Sequence, residues 1–134
     1  MKTVLVLEDE PGVLEFLRNA LRQYTVVEAT TAEEALHLFK THAGHVDLLI
    51  ADLTVPKRSG IQVALLCRLE MPDLPVLLTS GYPVSDWTGR DYTDLQRLGS
   101  TSVALLSKPF QIQELLNRVG ELIGGAASEI ASTA

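Results

Sequence analysis

Short apolar runs alternate along the chain with longer segments in which apolar residues recur every three or four positions. The runs are rich in Val, Leu and Ile, and each is short enough to form one β-strand. This pattern predicts five strands, at residues 3–7, 25–29, 47–51, 75–80 and 102–107. Because the runs are continuously apolar, both faces of the sheet are expected to be covered, as in a parallel sheet.

The segments between the runs have the periodicity of amphipathic helices. The first helix is predicted around Leu14, Leu17 and Leu21, and the second begins with the capping-box sequence of residues 31–34. A third helix is predicted over residues 59–70, and a last one over residues 111–123, which two glycines terminate. Proline and glycine interrupt residues 83–100, so only a short or irregular helix after a longish loop is predicted there.

Strands that alternate with helices predict an α/β fold, a doubly wound parallel sheet with helices on both faces and right-handed crossovers. A chain of 134 residues with 46% hydrophobic content fits one compact domain. We place that domain at residues 1–123 and interpret the small, polar residues 124–134 as a flexible tail or linker stub.

Composition narrows the classes of function. A net charge of −6 argues against direct nucleic acid binding, which needs a basic face. No apolar run approaches the roughly 20 residues that cross a bilayer, and no signal peptide precedes the first strand, so we expect a cytoplasmic protein without membrane attachment. The single cysteine, Cys67, excludes an internal disulfide and is expected to be a small core residue.

The first strand ends in a run of three acids, Glu8, Asp9 and Glu10. Like charges at this spacing repel one another unless water or a cation neutralises them. Something positive is therefore expected nearby.

Other chemically competent side chains also follow the ends of predicted strands. In open α/β sheets, ligands bind beyond the carboxyl ends of the strands. If strands one, three, four and five are neighbours, the following residues meet there: Glu8, Asp9, Asp52, Ser80, Gly81 and Lys108.

These residue types suit phosphoryl transfer. Paired carboxylates with a nearby carbonyl make a hard oxygen site for Mg²⁺ or Mn²⁺. With the other acids neutralised by metal, Asp52 can stay ionised and attack a phosphoryl group as a nucleophile. The metal, Lys108 and the Ser80 hydroxyl would then bind the oxygens of the transferring group.

The constellation resembles the receiver domain of two-component response regulators, over residues 3–123. The resemblance implies a flavodoxin-like sheet with strand order 2-1-3-4-5, an order that general fold rules already record for a chemotaxis member of that family. It implies that Asp52 is the phosphoacceptor, that Asp9 binds Mg²⁺ directly and that Glu8 acts through water. It also implies that the backbone carbonyl oxygen of Thr54 binds the metal.

The same resemblance gives roles to the ends of strands four and five. It implies that Ser80 is the switch hydroxyl, that the N–H of Gly81 reaches the phosphoryl group, and that Lys108 and Pro109 are joined by a cis peptide bond. Its implied partners are a sensor histidine kinase or a histidine phosphotransfer protein. It leaves open homodimerisation through the last strand and helix, and whether the receiver stands alone or belongs to a hybrid kinase or longer regulator.

Two departures from the family pattern keep alternatives open. Leu105 stands where the family often has an aromatic switch residue, and the segment from Ser80 to Lys108 is longer than usual. One alternative is a degenerate receiver that binds partners without phosphorylation. Another is a haloacid-dehalogenase-like phosphatase, which also uses an Asp nucleophile but needs a second Asp where this chain has Thr54.

Overall fold

The computed structural model of the chain describes residues 1–124. The strands are β1 (Thr3–Leu7), β2 (Thr25–Ala29), β3 (Leu48–Asp52), β4 (Val76–Ser80) and β5 (Val103–Ser107). The helices are α1 (Pro11–Ala20), α2 (Ala32–Thr41), α3 (Gly60–Glu70), α4 (Gly89–Leu98) and α5 (Ile112–Ile123), with a 3₁₀ turn at Val84–Asp86. Apart from Gly124, the proposed tail lies outside the described residues.

All five strands are parallel and lie in the order β2-β1-β3-β4-β5, which confirms the predicted doubly wound sheet. Although the strands are apolar throughout, alternate residues point to opposite faces of the sheet. In β1, Leu5 and Leu7 pack under α2, α3 and α4, whereas Val4 and Val6 pack under α1 and α5. Each face therefore has its own hydrophobic core.

The strand boundaries differ from the prediction by one residue in three of the strands. β3 begins and ends one residue later than predicted, and β4 and β5 begin one residue later. The shift in β3 makes Asp52 the last residue of the strand, so its backbone is held in the sheet opposite Thr79.

Residues 83–100 are more regular than the sequence predicted. α4 is a ten-residue helix, and the Thr88 side chain caps it by accepting from the N–H of Asp91. Trp87 is buried in the core under α4, and its indole N–H donates to the Tyr82 carbonyl at 3.4 Å. The segment is therefore anchored by a core residue that a periodicity pattern does not identify.

Arg68, near the end of α3, joins two distant parts of the fold. Its guanidinium donates to four backbone carbonyl oxygens, those of Leu74, Leu98, Thr101 and Ser102. These carbonyls lie before β4, at the end of α4 and before β5, and that of Ser102 also accepts from the N–H of Val76. One side chain therefore ties a helix end to two loops through charge-assisted hydrogen bonds.

No helix within residues 1–124 is both long and apolar enough to cross a bilayer.

Candidate functional site

The candidate site lies at the carboxyl edge of the sheet, where backbone hydrogen bonds fix the residues that follow the strands. The N–H of Glu8 donates to Ala29 at the end of β2, at 3.0 Å. On the other side, the N–H of Lys108 donates to the carbonyl of Ser80 at 2.7 Å. The strand ends therefore place Glu8 and Lys108 on either side of Asp52, as predicted from the topology.

The ammonium group of Lys108 is surrounded by three carboxylates. Its Nζ lies 2.8 Å from Glu8 Oε1, 3.3 Å from Asp52 Oδ2 and 3.5 Å from Glu10 Oε1. Glu8 and Asp52 are buried, whereas the Glu10 side chain is 63% exposed. Lys108 is therefore a positive group of the kind expected near the acidic run, beside two of its three acids, Glu8 and Glu10.

Burial and like charge act together on Asp52. Desolvation is the larger effect and the neighbouring Glu8 carboxylate adds to it, so the pKa of Asp52 rises from 3.8 to about 6. Lys108 and the N–H of Thr54, which donates to Asp52 Oδ1 at 3.2 Å, oppose this rise. At neutral pH the carboxyl group is still mainly ionised.

For Lys108 the neighbouring charges outweigh burial, whereas for Asp52 burial is the larger effect. Burial by itself would lower the pKa of Lys108, but the hydrogen bond to Glu8 and the charges of Asp52, Glu8 and Glu10 outweigh burial and hold the pKa above its ordinary value. Lys108 is therefore a permanent cation next to Asp52.

Three carboxylates are close enough together to hold one metal ion. One oxygen from each of Glu8, Glu10 and Asp52 lies within 4.8 Å of the other two. Hard oxygen donors of this kind suit Mg²⁺, which usually takes one or two carboxylates and keeps several waters. The donor set therefore fits the predicted cation.

The membership of this acidic group differs from the sequence prediction in one residue. Asp9, predicted to be the direct ligand, is exposed and does not belong to the group of acids that gather within residues 1–124. Glu10 does belong, although sequence reasoning gave it no role. The signal was available, since Glu10 is the third acid of the run. The role of Asp9 as a ligand remains a prediction.

The loop after β4 holds the predicted switch residue. The Ser80 hydroxyl donates to the Tyr82 carbonyl at 2.7 Å and accepts from the Tyr82 N–H at 3.2 Å. The Tyr82 phenol in turn lies 3.1 Å from the Thr54 hydroxyl, which follows Asp52 by two residues. Ser80 is thus bonded to its own loop, and Tyr82 links that loop to the one after β3.

The backbone around the site also agrees with the expectations. The bond between Lys108 and Pro109 is cis, as predicted. Gly81 is exposed, and apart from its chain neighbours no atom of residues 1–124 lies within 4 Å of the position that a Cβ would occupy there. The Gly81 backbone is therefore open to a group bound above Asp52.

A partly apolar cavity of about 500 Å³ opens beside Lys108. Its walls include Val13, Phe16 and Phe110, and the two phenyl rings meet edge to face with centroids 5.7 Å apart. Gly81 and Glu10 lie on the same cavity, so it leads from the surface to the charged cluster.

Comparison with known proteins gives one consistent result. A family model described as the response regulator receiver domain matches residues 4–120. The chain is 32% identical over 123 residues to the sensor kinase CckA of Brucella abortus (strain 2308), and it covers 12% of that protein. It is 32% identical over 120 residues to the response regulator GtcR of Aneurinibacillus migulanus, and it covers 46% of that protein. In each case the match includes about nine tenths of this chain, 90% and 88% respectively.

Solved structures agree in fold. The receiver domain of a hybrid histidine kinase CckA superposes with a TM-score of 0.73 at 32% identity, over 90% of this chain and 98% of that one. The chemotaxis protein CheY4 of Vibrio cholerae superposes with a TM-score of 0.77 at 21% identity, over 91% of this chain and 98% of that one.

Proposed function

The chain belongs to the response regulator receiver domain family, and from that premise we propose that it accepts a phosphoryl group on Asp52 from a phosphohistidine and thereby switches its contacts with partners. Membership makes it a signalling module of two-component systems and not a conventional enzyme. The observation that carries the proposal is the pairing of buried Asp52 with Lys108 at 3.3 Å, at the carboxyl edge of the sheet.

The chain's own residues account for the transfer step. One oxygen of ionised Asp52 attacks the phosphorus, an O–P bond forms, the P–N bond to the donor histidine breaks, and the neutral imidazole leaves after taking up a proton. Lys108 stays charged throughout and stabilises the negative charge of the transferring oxygens. Its ion pair with Glu8, at 2.8 Å, holds the ammonium group beside Asp52, which supports this role.

A divalent cation fits beside these residues. Glu8, Asp9, Asp52 and the Thr54 carbonyl are the ligands that we propose, with Glu10 as a further carboxylate at the rim. When bound, Mg²⁺ supplies positive charge that neutralises the carboxylates and the phosphoryl oxygens.

The switch follows from the new charge on Asp52. A phosphoryl group adds about −1.5 to −2 charges and several acceptor oxygens. The Ser80 hydroxyl can donate to one of these oxygens only if it releases the Tyr82 carbonyl, its present acceptor at 2.7 Å. That exchange would loosen Tyr82 from the loop, and so link phosphorylation to the surface after β4.

The cavity beside Lys108 offers an approach for the donor. The partner would be a sensor histidine kinase or a histidine phosphotransfer protein. Its imidazole would enter the cavity between two of its walls, the rings of Phe16 and Phe110 on one side and the Gly81 backbone on the other. Its aromatic ring would contact apolar walls while its phosphoryl group faces Lys108. Such a partner supplies the histidine in trans.

The test is phosphorylation by a small donor. Incubation with acetyl phosphate and Mg²⁺ is expected to add the mass of one phosphoryl group to the intact protein, and EDTA should prevent it. Asp52→Asn should abolish the gain, while Asp86→Asn, which removes an exposed acid of the 3₁₀ turn, should leave it unchanged. No gain in the wild type, or an equal gain in Asp52→Asn, would contradict the proposal.

One observation favours a second function, that of a receiver which binds partners without being phosphorylated. Leu105, on β5, is 38% exposed and has no ring to exchange between buried and exposed positions. If the mass stays unchanged with and without Mg²⁺ while partner binding persists, this second function is the correct one. Release of inorganic phosphate with multiple turnovers would instead indicate a phosphatase.

A further inference from the structure

A groove of about 730 Å³ between α3 and α4 has a composition unlike that of the rest of the molecule. The chain as a whole has 17 acidic and 11 basic residues. The groove reverses this balance, because its lining includes one carboxylate, that of Asp94, and four cations: Lys57, Arg58, Arg90 and Arg97.

Two of these cations have no carboxylate to neutralise them. Within residues 1–124, no acid lies at ion-pair distance from Arg58 or Arg90. Arg90 instead donates from Nε and Nη2 to the Gln62 carboxamide oxygen, at 2.9 and 2.7 Å in the amide orientation that its neighbours dictate. The pair of Lys57 with Glu33, at 3.7 Å, is exposed on both sides and neutralises little.

Two of these charges, Arg58 and Arg90, lie where they do not favour helix stability. Arg90 lies in the first turn of α4, where the helix dipole disfavours a cation, whereas Arg97, in the last turn, is placed favourably. Arg58 lies immediately before the N-cap of α3, at the same unfavourable end. The positive charge of the groove is therefore better explained by what binds there than by the fold.

We propose that the groove between α3 and α4 docks an acidic segment of a partner protein, with its carboxylates on Arg58 and Arg90. The partly buried side chains of Leu65 and Leu66 provide an apolar floor for a hydrophobic residue of the same segment. An extended peptide of about eight residues is about 26 Å long, whereas α4 is roughly 15 Å long. A short segment can therefore run along the full length of α4.

A peptide fits this groove better than a compact anion does. The buried polar group in the groove is the Asp94 carboxylate, 3.7 Å from Arg97, and it would repel a phosphate that settled on the floor. The free cations lie on long, exposed side chains at the rim, so they can meet carboxylates that are spaced along a chain. The loop that carries Lys57 and Arg58 begins directly after Asp52, so the groove borders the proposed phosphorylation site without including it.

The experiment uses the full chain, unphosphorylated, and two synthetic peptides. The first has glutamates flanking a central Leu-Leu pair, and the second has Gln in place of every Glu. In NMR spectra of the wild type, we expect the amide chemical shifts around α3 and α4 to change with the first peptide and not with the second. The affinity for the first peptide should fall with added salt, because the Debye length shortens from about 10 Å at 0.1 M towards 3 Å at 1 M. Asp52→Asn should bind equally, so failure of phosphorylation would leave this result intact.

Charge reversals supply the decisive comparison. Arg58→Glu with Arg90→Glu is expected to weaken binding of the acidic peptide at least about tenfold, equivalent to 1.4 kcal/mol. The matched control is Arg22→Glu with Lys40→Glu, which makes the same change in net charge away from the groove: Arg22 follows α1 and Lys40 lies in the last turn of α2. The control should alter the affinity less than about twofold. Both variants should keep the circular dichroism spectrum of the wild type, which checks that they remain folded.

Three outcomes would overturn the proposal. The first is equal binding by the groove variant and the control, and the second is equal binding of the Gln peptide. The third is displacement of the peptide by inorganic pyrophosphate at constant ionic strength, which would identify a compact-anion site.

Discussion

Replacing Asp52 with asparagine is expected to stabilise the metal-free protein at pH 8, although the substitution removes the proposed phosphoacceptor. The reason is electrostatic. The ionised carboxylate is buried beside Glu8, and this environment favours its neutral form, as the raised pKa shows. Asparagine has nearly the same shape and keeps an oxygen that can accept from the Thr54 N–H.

The size of the effect follows from the pKa of Asp52. A rise from 3.8 in the unfolded chain to about 6 in the folded protein corresponds to about 3 kcal/mol, at about 1.36 kcal/mol for each pKa unit. The folded protein holds the proton more tightly, so this penalty is absent below pH 3.8, grows as the pH rises towards 6, and is complete above it. Asparagine places an amide near Lys108, which reduces the gain, so about 2–3 kcal/mol is the expected range at pH 8.

Urea unfolding of the wild type and Asp52→Asn in EDTA measures this difference directly. The difference in unfolding free energy should be near zero at pH 4 and should increase through pH 6 to its full value at pH 8. Asp86→Asn removes an exposed carboxylate and should change stability by less than about 0.5 kcal/mol at each pH. Mg²⁺ should stabilise the wild type more than Asp52→Asn, because a ligand stabilises the state that binds it more tightly.

A neutral or destabilising Asp52→Asn at pH 8 would refute the reasoning, since it would mean that Lys108 more than compensates the buried charge. A stabilisation of equal size at pH 4 and pH 8 would refute it as well. That result would assign the effect to packing, which does not depend on protonation.

Three further substitutions or reactions test the structure around the site. Gly60→Ala should cost about 1–3 kcal/mol in urea unfolding, because its Cβ would clash with the Asp52 carbonyl. Gly12→Ala should be neutral or slightly stabilising, because its Cβ would meet no packing neighbour within 4 Å among the residues described. Arg68→Met should cost about 2–3 kcal/mol, because four backbone carbonyls lose a charged donor; an unchanged urea midpoint would show that water replaces it. Cys67 should react with a thiol reagent only after unfolding, because it is buried and burial raises the pKa of its thiol to about 12; rapid labelling of the native protein would contradict this packing.

The amino-acid sequence by itself determined the architecture of this protein. Continuous apolar strands between amphipathic helices require a parallel sheet with both faces covered, and parallel strands bring their carboxyl ends to one edge. Once β1, β3, β4 and β5 are neighbours, the meeting of Glu8, Asp52 and Lys108 follows from that rule, because each residue lies at or directly after a strand and its backbone is held by the sheet.

Only the tertiary structure decided where side chains point once the chain has left a strand. The sequence could not show that Glu10 joins Glu8 and Asp52 in one acidic group, since Asp9 and Glu10 both follow β1 and the direction of each depends on the turn into α1. Nor could it show that Ser80 is bonded to Tyr82, or that cations from two distant segments line one groove. The type and sequence of the strands and helices are set by periodic, short-range patterns, whereas these features depend on contacts between residues that are brought together only when the helices pack.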